Sequence, residues 1–242
     1  METVVLLNAR RENRLRHALL GPELPLRALL AGRYLSDHCT VELLDPAADP
    51  RWRRKLFSCL RRSPVAITLV FSDLGIDSGG DELSQAVDLS RSVKSFCGVP
   101  VLWTGVKGRV LASLVLKEAS VLAVAETETA LAAACRALVE KQPLDGLAGI
   151  WTRNNLEGST DCSPADERCD FFPLPLHLLP MERYVRKTAY GPHIPLETSR
   201  GCFGCCAFCN NRSQRRWVGA TAEALFDEVR RLHNRLGVQA FS

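Results

Sequence analysis

Over roughly the first 141 residues, short apolar and β-branched runs alternate with amphipathic stretches. This is the form a parallel sheet wrapped by helices takes in sequence. The apolar runs predict strands at residues 3–8, 40–45, 65–72, 99–105 and 121–126, and the stretches between them predict helices at 25–36, 50–61, 81–96, 109–118 and 128–141. In the helix beginning at Asp81, Leu83, Ala86, Val87, Leu89, Val93 and Phe96 fall largely on one side, the stripe of a helix packed against a core.

Five such units predict an α/β fold, a flavodoxin-like doubly wound parallel sheet, over residues 1–145. In that architecture ligands sit outside the carboxyl ends of the strands, so the loops after Leu7, Ser72, Thr104 and Ala125 are the candidate binding region.

From residue 146 to 193 the alternation gives way to a turn-rich, proline-rich connector that includes Phe171-Phe172-Pro173-Leu174-Pro175 and Leu179-Pro180. Its aromatic and leucine residues predict that it packs rather than floats. Cys162 and Cys169 in it read as free thiols. Beyond it, residues 194–199 predict a strand, 200–219 a polar loop and 221–236 a helix. That helix carries an apolar stripe of Ala222, Leu225, Phe226, Val229, Leu232 and Leu236, with Thr221 placed to cap its start and Gly237 to end it. Residues 238–242 begin another strand, giving one βα unit and part of the next.

Composition changes this picture little until the cysteines are counted. The 242 residues are 46% hydrophobic and 24% charged with a net charge of +4, so the chain can bury a core and nothing in its charge calls for a nucleic-acid or membrane partner. The apolar run Val4 to Leu7 is followed at once by Asn8 and the charged Arg10, Arg11 and Glu12, unlike a signal peptide. No stretch approaches the roughly 20 apolar residues of a membrane span. The expected setting is cytoplasmic. There, ten cysteines point to metal ligands or buried thiols rather than disulfides.

Four of those ten lie between Cys202 and Cys209, in Thr198-Ser199-Arg200-Gly201-Cys202-Phe203-Gly204-Cys205-Cys206-Ala207-Phe208-Cys209. Cys202, Cys206 and Cys209 form C-x₃-C-x₂-C, three thiolates that can each take one corner of a cubane cluster and leave the fourth iron open. The same residues also parse as two abutting C-x₂-C pairs for zinc, although zinc knuckles approach the metal from separated segments. A ferredoxin-type run would need cysteine where Phe208 stands, and a redox pair belongs at another kind of strand-to-helix junction.

The stretch from Thr198 to Cys209, with an aromatic residue just before the last cysteine, resembles the hallmark of radical S-adenosylmethionine (SAM) enzymes. The resemblance implies a [4Fe-4S] cluster on Cys202, Cys206 and Cys209, with SAM chelating the open iron and Phe208 packing near its adenine. It implies reductive cleavage of SAM to a 5′-deoxyadenosyl radical, an electron donor such as flavodoxin or ferredoxin, and an organic substrate the sequence does not identify. Cys205 adds a fourth thiol and reads as a bystander. Arg212, Arg215 and Arg216 read as a solvated face.

An α/β domain, a proline-rich connector ending near Arg183-Tyr184-Val185, and then this loop together look like the cobalamin (B12)-binding branch of the radical SAM superfamily. That resemblance implies a front domain holding cobalamin, most often for methyl transfer, with Asn8, Ser72, Thr104, Gly105 and Glu126 as candidate contacts. The chain departs from the D-x-H-x-x-G motif, since Asn8-Ala9-Arg10-Arg11-Glu12-Asn13 supplies no histidine for cobalt. The turns after the fourth and fifth strands read Thr104-Gly105-Val106-Lys107 and Ala125-Glu126-Thr127-Glu128, where relatives often carry Gly-Gly-x-His and Gly-Glu-Gly-Glu. A dinucleotide site would want G-x-G-x-x-G after the first strand, and a receiver domain would want paired acids there; neither is present. An α/β domain that binds nothing remains the competing reading.

A radical SAM core wraps several further βα units around its substrate. The segment 194–242 is therefore expected to be the start of a TIM-like radical SAM barrel, the chain to be the front part of a longer enzyme, and this portion alone not to turn over. A non-enzymatic iron–sulfur or zinc-binding fragment, or a regulatory α/β module, is the alternative.

Overall fold

The computed structural model describes residues 2–9, 21–74, 80–96, 98–106, 109–118, 121–156, 171–201, 204 and 217–242. Its centre is a six-stranded sheet: β1 (Thr3–Asn8), β2 (Thr40–Leu44), β3 (Ala66–Leu74), β4 (Val101–Val106), β5 (Ala123–Ala125) and β6 (Ile150–Trp151), in the order β2-β1-β3-β4-β5-β6. The first five are parallel and follow the flavodoxin-like order 2-1-3-4-5. Helices α1 (Leu26–Ser36), α2 (Trp52–Leu60), α3 (Gly80–Phe96) and α4 (Arg109–Glu118) lie in the crossovers between the parallel strands, and α5 (Glu128–Val139) leads from β5 to β6.

The sheet is continuously apolar because both its faces are covered. Along β1, Val4 and Leu6 point into one core with α1 and α5, while Val5 and Leu7 point into the other with α2, α3 and α4, as the two-residue period of a strand requires. On the second face Trp103 is fully buried, donates from Nε1 to Ser90 Oγ at 2.6 Å and packs on Phe71 with ring centroids 4.7 Å apart.

The short strands differ from the pattern-based expectation. β6 pairs antiparallel with β5 at the sheet edge, where the sequence predicts connector. The strand expected over 194–199 forms instead at β8 (Gly191–Ile194), in an antiparallel hairpin with β7 (Arg186–Thr188). Strands of two to four residues are too short for any period to show.

The described stretch from Phe171 to Tyr184 packs against the sheet domain. Leu174, Leu176, Leu179, Met181 and Tyr184 are buried in the α1/α5 core, each apolar side chain contributing roughly 1.5–3 kcal/mol. After it come β9 (Ser199–Arg200), β10 (Val218–Gly219), α6 (Ala222–Leu236) and β11 (Ala240–Phe241). β8, α6 and β11 form a βαβ unit, since β11 pairs parallel with β8. Thr221 caps α6 by accepting from Ala224 N at 3.2 Å, and Gly237 ends it at φ +66° with its N–H on His233 O.

The apolar stripe of α6 is only partly used. Leu232 is buried, but Phe226 is 59% exposed and Ala222 is exposed. The charged Glu228 is buried instead, accepting from Leu174 N at 3.1 Å and from Arg231 at 2.6 Å. The main-chain donors of the connector needed an acceptor there, and a carboxylate on α6 supplies it.

Candidate functional site

The strand order reverses between β1 and β3, and the crevice of a doubly wound sheet opens outside the carboxyl ends of strands at such a switch. Asn8 ends β1, Ser72 lies near the end of β3, Thr104 and Gly105 close β4, and Glu126 follows β5, so the sheet brings all five to one edge. The side chain of Ser72 lies outside what the structure describes.

Asn8 is buried and its Nδ2 donates to Asp45 Oδ1 at 3.0 Å. Asp45, just past β2, is a hub that sequence reading missed: Oδ1 also accepts from Ala47 N at 3.1 Å, and Oδ2 accepts from Tyr184 Oη at 2.7 Å. Arg183 beside it donates to Ala48 O at 2.6 Å. The connector is thus tied to the carboxyl edge of the sheet through β2. An aspartate ending a strand is an ordinary turn residue, so no local signal marks it.

Gly105 has φ +80°, and a Cβ there would collide with the carbonyl of Phe71. The β3–β4 register shifts between Val70 and Leu74 at this level, so the two strand ends approach more closely than a side chain allows. Thr104 is buried, and Glu126 donates its N–H to Gly149 O at 2.8 Å. Of the described histidines, His38, His177, His193 and His233, none follows β1, β3, β4 or β5.

Cys202, Cys205, Cys206, Phe208, Cys209, Arg212, Arg215 and Arg216 lie outside the described residues, as do Cys162, Cys169 and Lys107. The base of the cysteine loop is described. β9 and β10 pair antiparallel, Val218 with Arg200 and Gly219 with Ser199, and Ala220 N donates to Thr198 O at 2.8 Å. Both ends of loop 201–217 are therefore held side by side. Gly201, with φ +88°, turns the chain out of β9 toward Cys202.

Arg200 ties this stem to the sheet. Its Nη1 donates to Glu128 Oε2 at 2.6 Å, while Nε and Nη2 clasp Glu197 at 2.8 and 2.9 Å. Phe171 flanks the guanidinium at 5.9 Å. Glu128 is buried in the first turn of α5, and its other oxygen accepts from Arg27 Nη1 at 2.9 Å. Burial pushes the Glu128 carboxyl up, but Arg27 and Arg200 outweigh it and hold the group below the usual glutamate range. Burial likewise works against the charge on Arg200, while Glu197 and Glu128 raise its affinity for the proton.

Between α2 and α3 runs a groove of about 760 Å³, lined mainly by apolar side chains such as Trp52, Leu56, Phe57, Leu89 and Phe96. Asn8, Ala9 and Pro46 line it as well.

The donor set suits an iron–sulfur cluster: three thiolates in C-x₃-C-x₂-C spacing on a loop whose ends are pinned together.

No protein-family model and no curated protein sequence matches this chain. Solved structures do. The radical SAM methyltransferase TsrM from Kitasatospora setae, with cobalamin and a [4Fe-4S] cluster bound, aligns over 100% of this chain and 47% of its own at 16% identity and a TM-score of 0.66. The same enzyme with tryptophan substrate and a SAM analogue aligns over 97% of this chain and 46% of its own, at 15% identity and a TM-score of 0.65. The cobalamin-dependent SAM radical enzyme OxsB, with aqua-cobalamin and SAM bound, aligns over 98% of this chain and 33% of its own, at 20% identity and a TM-score of 0.69. This chain spans less than half the length of either enzyme, and over that span it has the fold of cobalamin-binding radical SAM enzymes.

Proposed function

We propose that this chain belongs to a cobalamin-dependent radical SAM enzyme of the methyltransferase type. Residues 1–145 would be its cobalamin-binding domain, 146–193 its connector and 194–242 the beginning of its radical SAM domain. Cys202, Cys206 and Cys209 would hold a [4Fe-4S] cluster with one iron left for SAM, and Phe208 would lie near the SAM adenine. Asn8, Ser72, Thr104, Gly105 and Glu126 would face the cobalamin. When bound, the cluster supplies the electron that cleaves SAM, and cobalamin supplies a carrier for the methyl group.

One observation carries this reading. Arg200, two residues before the first thiolate, is bonded to Glu128 at the start of the helix that follows β5, so the stem of the thiolate loop adjoins the sheet edge where a doubly wound fold binds its ligand. The chain's own residues then have separable tasks. The three thiolates bind, the β9/β10 stem keeps them in one loop, and the network of Asp45, Asn8 and Tyr184 orders the rim of the sheet.

Anaerobic reconstitution with iron and sulfide, followed by metal analysis and EPR of the dithionite-reduced protein, tests the cluster. About four irons per chain and a reduced-cluster signal lost in Cys202→Ser, Cys206→Ser and Cys209→Ser but kept in Cys205→Ser are expected. One zinc and no iron would instead support a metal-binding fragment. Titration of the chain with hydroxocobalamin tests the other half, and no binding at high micromolar ligand would leave the sheet domain structural.

A further inference from the structure

We infer that Glu128 and Arg200 are positioning residues for the thiolates, fixing the stem of their loop, at β9, against the carboxyl end of the sheet. This deepens the proposed function and rests on its reading of loop 201–217 as a cluster site. A carboxylate buried between two guanidiniums is a poor way to gain stability, because the desolvation of three charges offsets their attraction, but it specifies which groups must meet. Here the groups come from three parts of the chain: Arg27 in α1, Glu128 in α5 and Arg200 in β9.

The geometry makes the contact directional. Arg200 spends Nε and Nη2 on Glu197 and Nη1 on Glu128, a three-point fit that the planar guanidinium fork provides and an ammonium does not. Only Gly201 separates Arg200 from Cys202, so the anchored guanidinium stands two residues from the first thiolate. On the other side Glu128 stands two residues after Glu126, at the rim proposed for cobalamin, in the turn capped by Thr127, which accepts from Ala130 N at 3.1 Å. A single short turn therefore adjoins both the rim and the loop stem.

The test uses the whole chain with Glu128→Ala, Glu128→Gln, Glu128→Asp and Arg200→Lys. Glu228→Ala, which removes the buried carboxylate of α6, is the control for general destabilisation. In the metal-free protein, alkylation of Cys202, Cys206 and Cys209 by iodoacetamide is followed by mass spectrometry; in the reconstituted protein, the EPR spectrum of the reduced cluster is recorded. Several-fold faster alkylation at Cys202 and an altered EPR line shape are expected for Glu128→Ala, Glu128→Gln and Arg200→Lys. Glu128→Asp should restore part of both, and Glu228→Ala should keep wild-type values despite a lower Tm. Wild-type rates in Glu128→Gln, or equal changes in Glu128→Gln and Glu228→Ala, would overturn the inference. If the wild-type chain takes up no iron, the cluster reading falls, while the alkylation rates still decide the positioning role.

Discussion

Tyr184 donates a hydrogen bond to Asp45 at 2.7 Å across 139 positions of sequence, and neither residue is exposed. One phenol thereby fastens the connector to the end of β2, and the same carboxylate holds Asn8 at the end of β1. The order of the sheet rim and the path of the connector are a single arrangement.

Tyr184→Phe keeps the packing of the ring and removes the donor. The buried carboxylate keeps Asn8 and the Ala47 amide but loses its third partner, and the expected cost is about 1–2 kcal/mol of folding stability, read from urea denaturation. An unchanged midpoint would mean that water replaces the phenol at Asp45.

Glu128 gives a pH signature. Its carboxyl titrates below the ordinary value of 4.5 in the fold, so its contribution is fully present above about pH 4.5 and is lost as pH falls through the lower folded value. Glu128→Gln should cost about 3 kcal/mol at pH 7, as breaking a buried ion pair does. The gap to wild type should narrow as unfolding is measured from pH 5 down to pH 3, and a gap that widened toward low pH would contradict the assignment.

Two glycines with similar backbone should respond differently to alanine. Gly237 at φ +66° has nothing within 4 Å of a built Cβ, so Gly237→Ala should cost only the left-handed penalty of about 1 kcal/mol. Gly105 at φ +80° adds a collision with the Phe71 carbonyl, and Gly105→Ala should cost clearly more, about 3 kcal/mol. Thermal melts of the two variants beside wild type settle the ranking.

Ser90→Ala should cost about 1–2 kcal/mol, because it strands the buried indole N–H of Trp103, which donates only to Ser90 Oγ among the bonds described. A near-ultraviolet CD change with little far-ultraviolet change would locate the loss at that ring.

The sequence by itself determined what short-range periods encode. The run Val4 to Leu7 can be covered on both faces only in a central strand, Thr221 and Gly237 bound a helix, and Cys202, Cys206 and Cys209 stand at thiolate-cluster spacing. Five strands in parallel order follow from such runs, and even the three-residue β5 lies inside a longer apolar run at 121–126. The two-residue β6, β9 and β10 carry no such pattern. Nor does any local rule show that Glu228 rather than Phe226 is buried on α6, or that Asp45 waits for Tyr184 and Glu128 for both Arg27 and Arg200. Those pairings exist because burial strips water from a carboxylate and obliges it to find donors. Which donors arrive is decided only when segments distant in sequence pack together, and here that choice brings the stem of the thiolate loop to the edge of the sheet.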